Sequence, residues 1–226
     1  MGKILLLIPA LIMLTYPPVF AEGTLSSILQ GIKNRYGTSS GLSVPYTRDV
    51  ITRSMSMLGA QTKGDLASGI IHFKSPHFLR LDQEMPASEI IIANDDILWW
   101  YIPLKKEAHR YRAKDFGREL RLLSNIFRGL AEVKDSFKVQ LQEKDEKEDY
   151  KIVLDPDPPW QEIDRIILTV SPEYEIRSVR IFNALGSVTR FNLGDFELEK
   201  TFEKGFFNFV APPGVNVVVE GSRSEP

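Results

Sequence analysis

The side chains best suited to acid–base work or metal ligation in this sequence are three histidines: His72, His77 and His109. His72 falls in a strand-like run and His77 follows a Ser-Pro turn. That is not the helical spacing that presents two imidazoles to one metal. There is no cysteine, so disulfides, thiolate nucleophiles and Cys-dependent zinc sites are excluded. Asp95-Asp96 lies between two apolar runs and reads as a β-turn, and Asp155 and Asp157 stand beside prolines as turn residues. No pair of carboxylates is singled out for general acid–base work. A Gly-rich phosphate loop and a G-x-S-x-G elbow are both missing, and no cofactor is expected. Catalytic signatures are therefore weak, and the apolar residues carry more information.

The chain has 226 residues, 43% hydrophobic and 26% charged, with a net charge of −2. This is an ordinary globular composition. No basic excess points to nucleic acid. Two segments read as amphipathic helices. Leu25, Ile28, Leu29, Ile32 and Tyr36 share one face, with Thr24 as the expected cap and Gly37 as the expected stop. From about Lys114 to Leu130, the residues Phe116, Leu120, Leu123, Phe127 and Leu130 form a stripe widened by Ile126. Arg118, Glu119, Arg121 and Arg128 take the other side.

Most of the rest reads as short strands parted by turn formers: 67–74, 78–83, 90–93, 97–102, 137–142, 150–154, 165–170, 176–182, 188–193 and 206–210. That spacing predicts an antiparallel meander, closed or nearly so. The run Glu143–Asp149 reads as a solvated hairpin loop. Residues 90–102 break the usual alternation of a half-buried strand. Ile90-Ile91-Ile92 and Ile97-Leu98-Trp99-Trp100-Tyr101-Ile102 are apolar on both faces. Something must cover each face. The helices can cover one. The sheet then either packs an ordinary core on the other or leaves room there for an apolar guest. The Trp99-Trp100 pair fits both, because one indole faces each side.

The N-terminus reads as an export signal. Lys3 is the basic start, Ile4 to Leu14 the apolar stretch, and Val19-Phe20-Ala21 the small-residue cleavage site. Residues 1–21 are thus expected to be removed, leaving one domain over 22–220 and a flexible tail over 221–226. No Cys follows the cut to carry a lipid anchor, so a freely diffusing periplasmic protein is expected.

Three stretches together resemble periplasmic outer-membrane lipoprotein carriers of the LolA type. Gly69-Ile70-Ile71-His72-Phe73-Lys74-Ser75-Pro76-His77-Phe78-Leu79-Arg80 is similar to that family's G-x-hydrophobic-x-F-K-x-P-x-x-hydrophobic-R segment. Asn94-Asp95-Asp96-Ile97-Leu98-Trp99-Trp100-Tyr101-Ile102-Pro103 resembles its D-G-x-x-hydrophobic-W-x-Y-x-P element. Phe207-Asn208-Phe209-Val210-Ala211-Pro212-Pro213-Gly214-Val215 resembles its F-x-F-x-x-P-x-G-V ending. There are two departures. Ser75 stands where well-studied carriers place an Arg that bonds to the lid helices, and Tyr46-Thr47-Arg48 stands where they often have F-x-Q. Arg80 is close to Ser75 in sequence but on another strand.

The resemblance implies a mainly β fold with some α: an unclosed antiparallel barrel of about 10–11 strands under an amphipathic helical lid, enclosing an apolar cavity. It implies a monomeric, non-enzymatic carrier whose cargo is an acylated lipoprotein. The partners would be an inner-membrane lipoprotein-releasing ABC transporter and an outer-membrane receptor lipoprotein. On this basis the cavity wall is expected to include Phe73, Phe78, Leu81, Ile90, Ile92, Trp99 and Tyr101, and the lid face Phe116, Leu120, Leu123 and Phe127. Each of these also suits an ordinary core. Two other readings stay open: a periplasmic lipid-binding or envelope-stress sensor module, and a secreted hydrolase, which would need one of the histidines.

Overall fold

The apolar spacing from Leu25 to Tyr36 becomes helix α1, Phe20–Tyr36, with Ile28, Ile32 and Tyr36 buried. It starts four residues ahead of the expected cap at Thr24, because Ala21 and Glu22 favour helix and carry it backwards. It ends where Gly37 was expected to stop it, with the Gly37 N–H donating to the Lys33 carbonyl at 2.8 Å. The computed structural model describes residues 20–57, 64–94, 96–112, 118–130, 133–142 and 149–219. The expected signal core, the 221–226 tail and most of the charged 143–149 loop lie outside these.

Among the described residues twelve strands follow. They are β1 Gly41–Ile51, β2 Asp65–Lys74, β3 Phe78–Met85, β4 Glu89–Ala93, β5 Ile97–Ile102, β6 Glu107–Arg112, β7 Phe137–Gln142, β8 Tyr150–Pro156, β9 Ile163–Val170, β10 Ile176–Asn183, β11 Val188–Leu193 and β12 Asn216–Val219. A short helix α2, Arg53–Met57, follows β1, and α3, Arg118–Phe127, separates β6 from β7. All strands join one sheet in the order β12-β6-β5-β4-β3-β2-β1-β11-β10-β9-β8-β7. Every neighbouring pair is antiparallel except β12 with β6. The end strands β12 and β7 do not pair, so the barrel is unclosed as expected.

Register sorts the side chains into two rows of opposite facing. Leu42, Val44 and Tyr46 of β1 sit opposite Phe73, Ile71 and Gly69 of β2. The row continues through Leu79 and Leu81 on β3 and Ile91 and Ala93 on β4. Beyond β11 it passes through Val179, Leu168, Ile152 and Leu141. This row and the apolar sides of α1 and α3 form one core cluster.

The opposite face is covered by a segment for which the sequence suggested a strand at 206–210. Instead, residues 196–215 run as an irregular strap. It starts at β1, where the Ser43 and Glu197 backbones exchange hydrogen bonds of 3.0 and 2.9 Å. It then crosses β2 to β5 and ends as β12 beside β6. Phe202 and Phe206 lie edge-on to His72, Phe207 lies 5.8 Å from Phe78, and Phe209 lies 5.1 and 5.2 Å from Trp99 and Tyr101. Each face of the apolar strands thus has its own cover.

Candidate functional site

The helix-covered face is built from paired rows of bulky side chains with α3 laid across them. Phe127 is 1% exposed; its ring lies 6.0 Å from Phe73 and 6.2 Å from Phe196. Leu122, Leu123 and Ile126 are buried with it. Gly129 and Leu130 close the helix by donating their N–H groups to Ile126 and Asn125. Of the expected lid face, Leu123 and Phe127 point into the sheet. Phe116 lies outside the described residues, and Leu120 lies on α3 with its side chain outside the description.

Helix α1 is held at the β9–β10 turn. Tyr36 Oη accepts the Ile176 N–H at 3.1 Å, and Arg35 Nη2 lies 3.5 Å from Glu175. Gly31 leaves room for the Tyr174 ring, since a Cβ there would come within 2.4 Å of it. Burial pushes the Tyr36 phenol up in spite of the Ile176 bond. These contacts fasten the lid helix at a distance from Ser75. Ser75 is an exposed turn residue whose backbone N–H bonds to the Ser40 carbonyl at 3.1 Å.

The seven expected wall residues divide between the two faces. Phe73 and Leu81 lie in the helix-covered row. Phe78, Ile90, Ile92, Trp99 and Tyr101 lie in the opposite row, three of them directly under the strap's phenylalanines. The expectation combined two parities: Leu81 pairs with Ile91, while Ile90 pairs with Asp82. A continuous apolar run carries no parity signal, so one residue of register decides the face. Trp100, not Trp99, shares the helix-facing row, and its Nε1–H donates to Glu89 at 2.9 Å. Leu42, Val44, Tyr46, Leu79 and Ile91 also belong to this row but escaped the sequence reading. Alternate positions counted outward from Phe73 reach Leu79, but Leu42, Val44 and Tyr46 enter the row only through the β1–β2 register.

The histidines do not meet. His109 lies on the helix-facing row of β6, 5.5 Å from Trp100, and His77 lies in the exposed β2–β3 turn. Among the described residues no group of three or more His, Asp or Glu is close enough to hold a metal. His72 lies on the strap side. Ser43 Oγ is 2.7 Å from its Nδ1, and Asp82 Oδ2 is 3.4 Å from its Nε2.

These three residue types are those of a nucleophile triad, but the surroundings suit a clamp. Ser43 is 4% exposed, its backbone is bonded to the strap, and two phenylalanine edges close over the imidazole. Arg80 completes the cluster. Its Nε donates to both Asp82 oxygens, and its Nη1 donates to the Phe206 carbonyl at 2.9 Å. Burial pushes the Asp82 carboxyl up, but hydrogen bonds and charge from His72 and Arg80 outweigh it and hold the carboxyl below its usual value.

Because the folded value is depressed, the clamp's contribution is complete above the unfolded value of about 3.9 and is lost as pH falls through the folded one. Acid titration should therefore loosen the strap below about pH 4, and Asp82→Asn should flatten that part of the stability curve. Denaturant melts at stepped pH check this. An unchanged acid limb in the variant would dissociate Asp82 from strap stability.

A family model described as outer membrane lipoprotein carrier protein LolA matches residues 57–210, and the chain belongs to that family. Among solved structures it is similar to an uncharacterized conserved protein from Thermus thermophilus, at TM-score 0.54 and 9% identity, covering 87% of this chain and 99% of that one. That likeness shows the fold. A LolA superfamily protein from Nitrosomonas europaea aligns at TM-score 0.45 and 15% identity over 80% of this chain and 96% of its own. The Mycobacterium tuberculosis lipoprotein LppX aligns at TM-score 0.41 and 10% identity over 81% and 99%. Among curated proteins, none matches by sequence.

Proposed function

We infer that this protein is a periplasmic, non-enzymatic carrier. It takes the acyl chains of lipoproteins between its helices and the facing sheet, and moves them from the inner to the outer membrane. The observation that carries this reading is the separateness of the helical layer. Among the described residues no backbone–backbone hydrogen bond joins α1 or α3 to a strand, and both meet the sheet through one apolar cluster, a surface that an alkyl chain could share or replace. The physical need is considerable. Each CH₂ exposed to water costs about 0.8 kcal/mol, so a long acyl chain costs on the order of 10 kcal/mol to move unshielded. Reversible burial under a movable cover meets that cost without a membrane. The partners on this reading are an ABC transporter that releases lipoproteins and an outer-membrane receptor lipoprotein. Residues 1–21 would direct export, and the mature chain would act as a monomer.

The test is mass spectrometry of material co-purifying with the tagged protein from its native envelope. Acylated lipoprotein is expected, and it should be lost when Leu123→Glu places a charge on the lid's apolar side. Recovery of no acylated species under any extraction condition would overturn the carrier reading.

A further inference from the structure

The helix-facing row of β2 changes size along its length. Phe73 and Ile71 are large, whereas Gly69 and Ala67 are small. Gly69 cannot be larger, because a Cβ would lie 2.0 Å from the Asp82 carbonyl oxygen. Over this shallow stretch stand two β1 side chains, Tyr46 opposite Gly69 and Arg48 opposite Ala67. The Arg48 guanidinium reaches across β2 to the Gln83 carbonyl on β3, a long contact of 3.4 Å. Gln83 is itself fixed, donating its amide to the Ala87 carbonyl at 3.0 Å.

Among the described residues two donors in this cluster lack a partner: Tyr46 Oη and Arg48 Nε, both buried at the atom level. Tyr46 is 3% exposed. Burial pushes its phenol up to about 12, with Arg48 opposing, so it keeps its proton at neutral pH and can donate. Buried donors left unmet are costly and uncommon, and each such group calls for an explanation. In the same row Asp65 stands two residues before Ala67 on β2, and Glu89, beyond Gln83, receives the Trp100 indole N–H. Among the described residues Arg48 has no ion-pair partner.

We propose that Tyr46 and Arg48 form a binding site for an anionic oxygen group, a phosphate, at the head of an alkyl chain lying against the helix-covered face. A planar guanidinium and a phenol two residues apart on one face of a strand offer neighbouring N–H and O–H donors, groups suited to phosphate oxygens. Gly69 and Ala67 place no large side chain beneath Tyr46 and Arg48, and the larger row from Ile71 to Phe73 supplies apolar wall for the chain. This inference rests on the acyl-chain site of the carrier reading and extends its cargo beyond lipoprotein chains to a lipid whose chain ends in a phosphate. The site occupies the stretch where Tyr46-Thr47-Arg48 departs from the family pattern.

Three probes test it on the full chain by titration calorimetry: hexadecyl phosphate, hexadecanol and inorganic phosphate. Hexadecyl phosphate should bind about tenfold tighter than hexadecanol, the scale of one charge-assisted interaction. Arg48→Met should erase that preference while leaving hexadecanol binding in place, which also shows that the variant folds. Tyr46→Phe should reduce the preference by a smaller factor. Equal binding of the two amphiphiles by the native protein overturns the phosphate site and leaves the carrier reading intact. Binding of neither overturns both. Displacement of hexadecyl phosphate by excess inorganic phosphate assigns the site to the free ion and overturns the headgroup assignment.

Discussion

Phe127→Ala is expected to destabilise the protein by about 3–5 kcal/mol and, in the same variant, to strengthen binding of an acyl probe. The first effect follows from packing. Phe127 is fully enclosed, wedged between Phe73 on β2 and Phe196 at the start of the strap, and truncation leaves a void that the rigid strands cannot fill. The second follows from competition. If the lid side chains and the cargo use the same sheet surface, the energy of lid packing is a penalty on binding, and weakening one strengthens the other. Urea melts measure the first effect and fluorescent fatty-acyl titration the second. A variant that loses both stability and acyl affinity would make Phe127 part of the binding wall, not its competitor.

Much of the architecture is legible in the sequence, although β1, β6 and β12 are not among the strand runs read there. The i, i+3, i+4 spacing of Leu25 to Tyr36 and of Leu123 to Leu130 marks the helices. The tight turns at Ser75-Pro76 and Met85-Pro86 mark the ends of β3. What the sequence concealed was which face of β4 and β5 meets which cover. Ile90 to Ile92 and Ile97 to Ile102 are apolar at every position, so the alternation that normally reports facing is silent. The reason emerges only in three dimensions. The strap brings Phe206, Phe207 and Phe209 to the second face, so that face is buried as well. The strap itself resembles a strand in sequence because Phe206 to Val210 is aromatic and β-branched. Its aromatics face β2 to β5, yet after the bonds of Glu197 and Lys200 to β1 its backbone joins no strand until Asn216. The clamp residues were hidden for a related reason. Ser43, His72 and Asp82 are far apart in the chain and become neighbours only through the β1–β2–β3 register.

Arg80→Ala should release the strap locally and cost about 2–4 kcal/mol of stability. The guanidinium does three things at once. It donates to both oxygens of Asp82 at 3.0 and 2.9 Å, donates to the Phe206 carbonyl at 2.9 Å, and lies 4.5 Å from the Phe206 ring centroid. Removing it leaves the half-buried Asp82 carboxylate with His72 as its remaining named partner, so much of the loss is the cost of an undercompensated charge. The double variant Arg80→Ala/Asp82→Asn should therefore be more stable than Arg80→Ala alone, a sign that additive contacts would not give. Limited proteolysis locates the effect: cleavage between 198 and 210 should accelerate well before the sheet unfolds. A strap whose cleavage rate is unchanged in Arg80→Ala would have to be held by its phenylalanines and its backbone bonds to β1. Arg80→Lys separates charge from geometry. It keeps the cation beside Asp82 but loses the fork that also reaches Phe206, so its cleavage rate should fall between those of the native protein and the alanine variant.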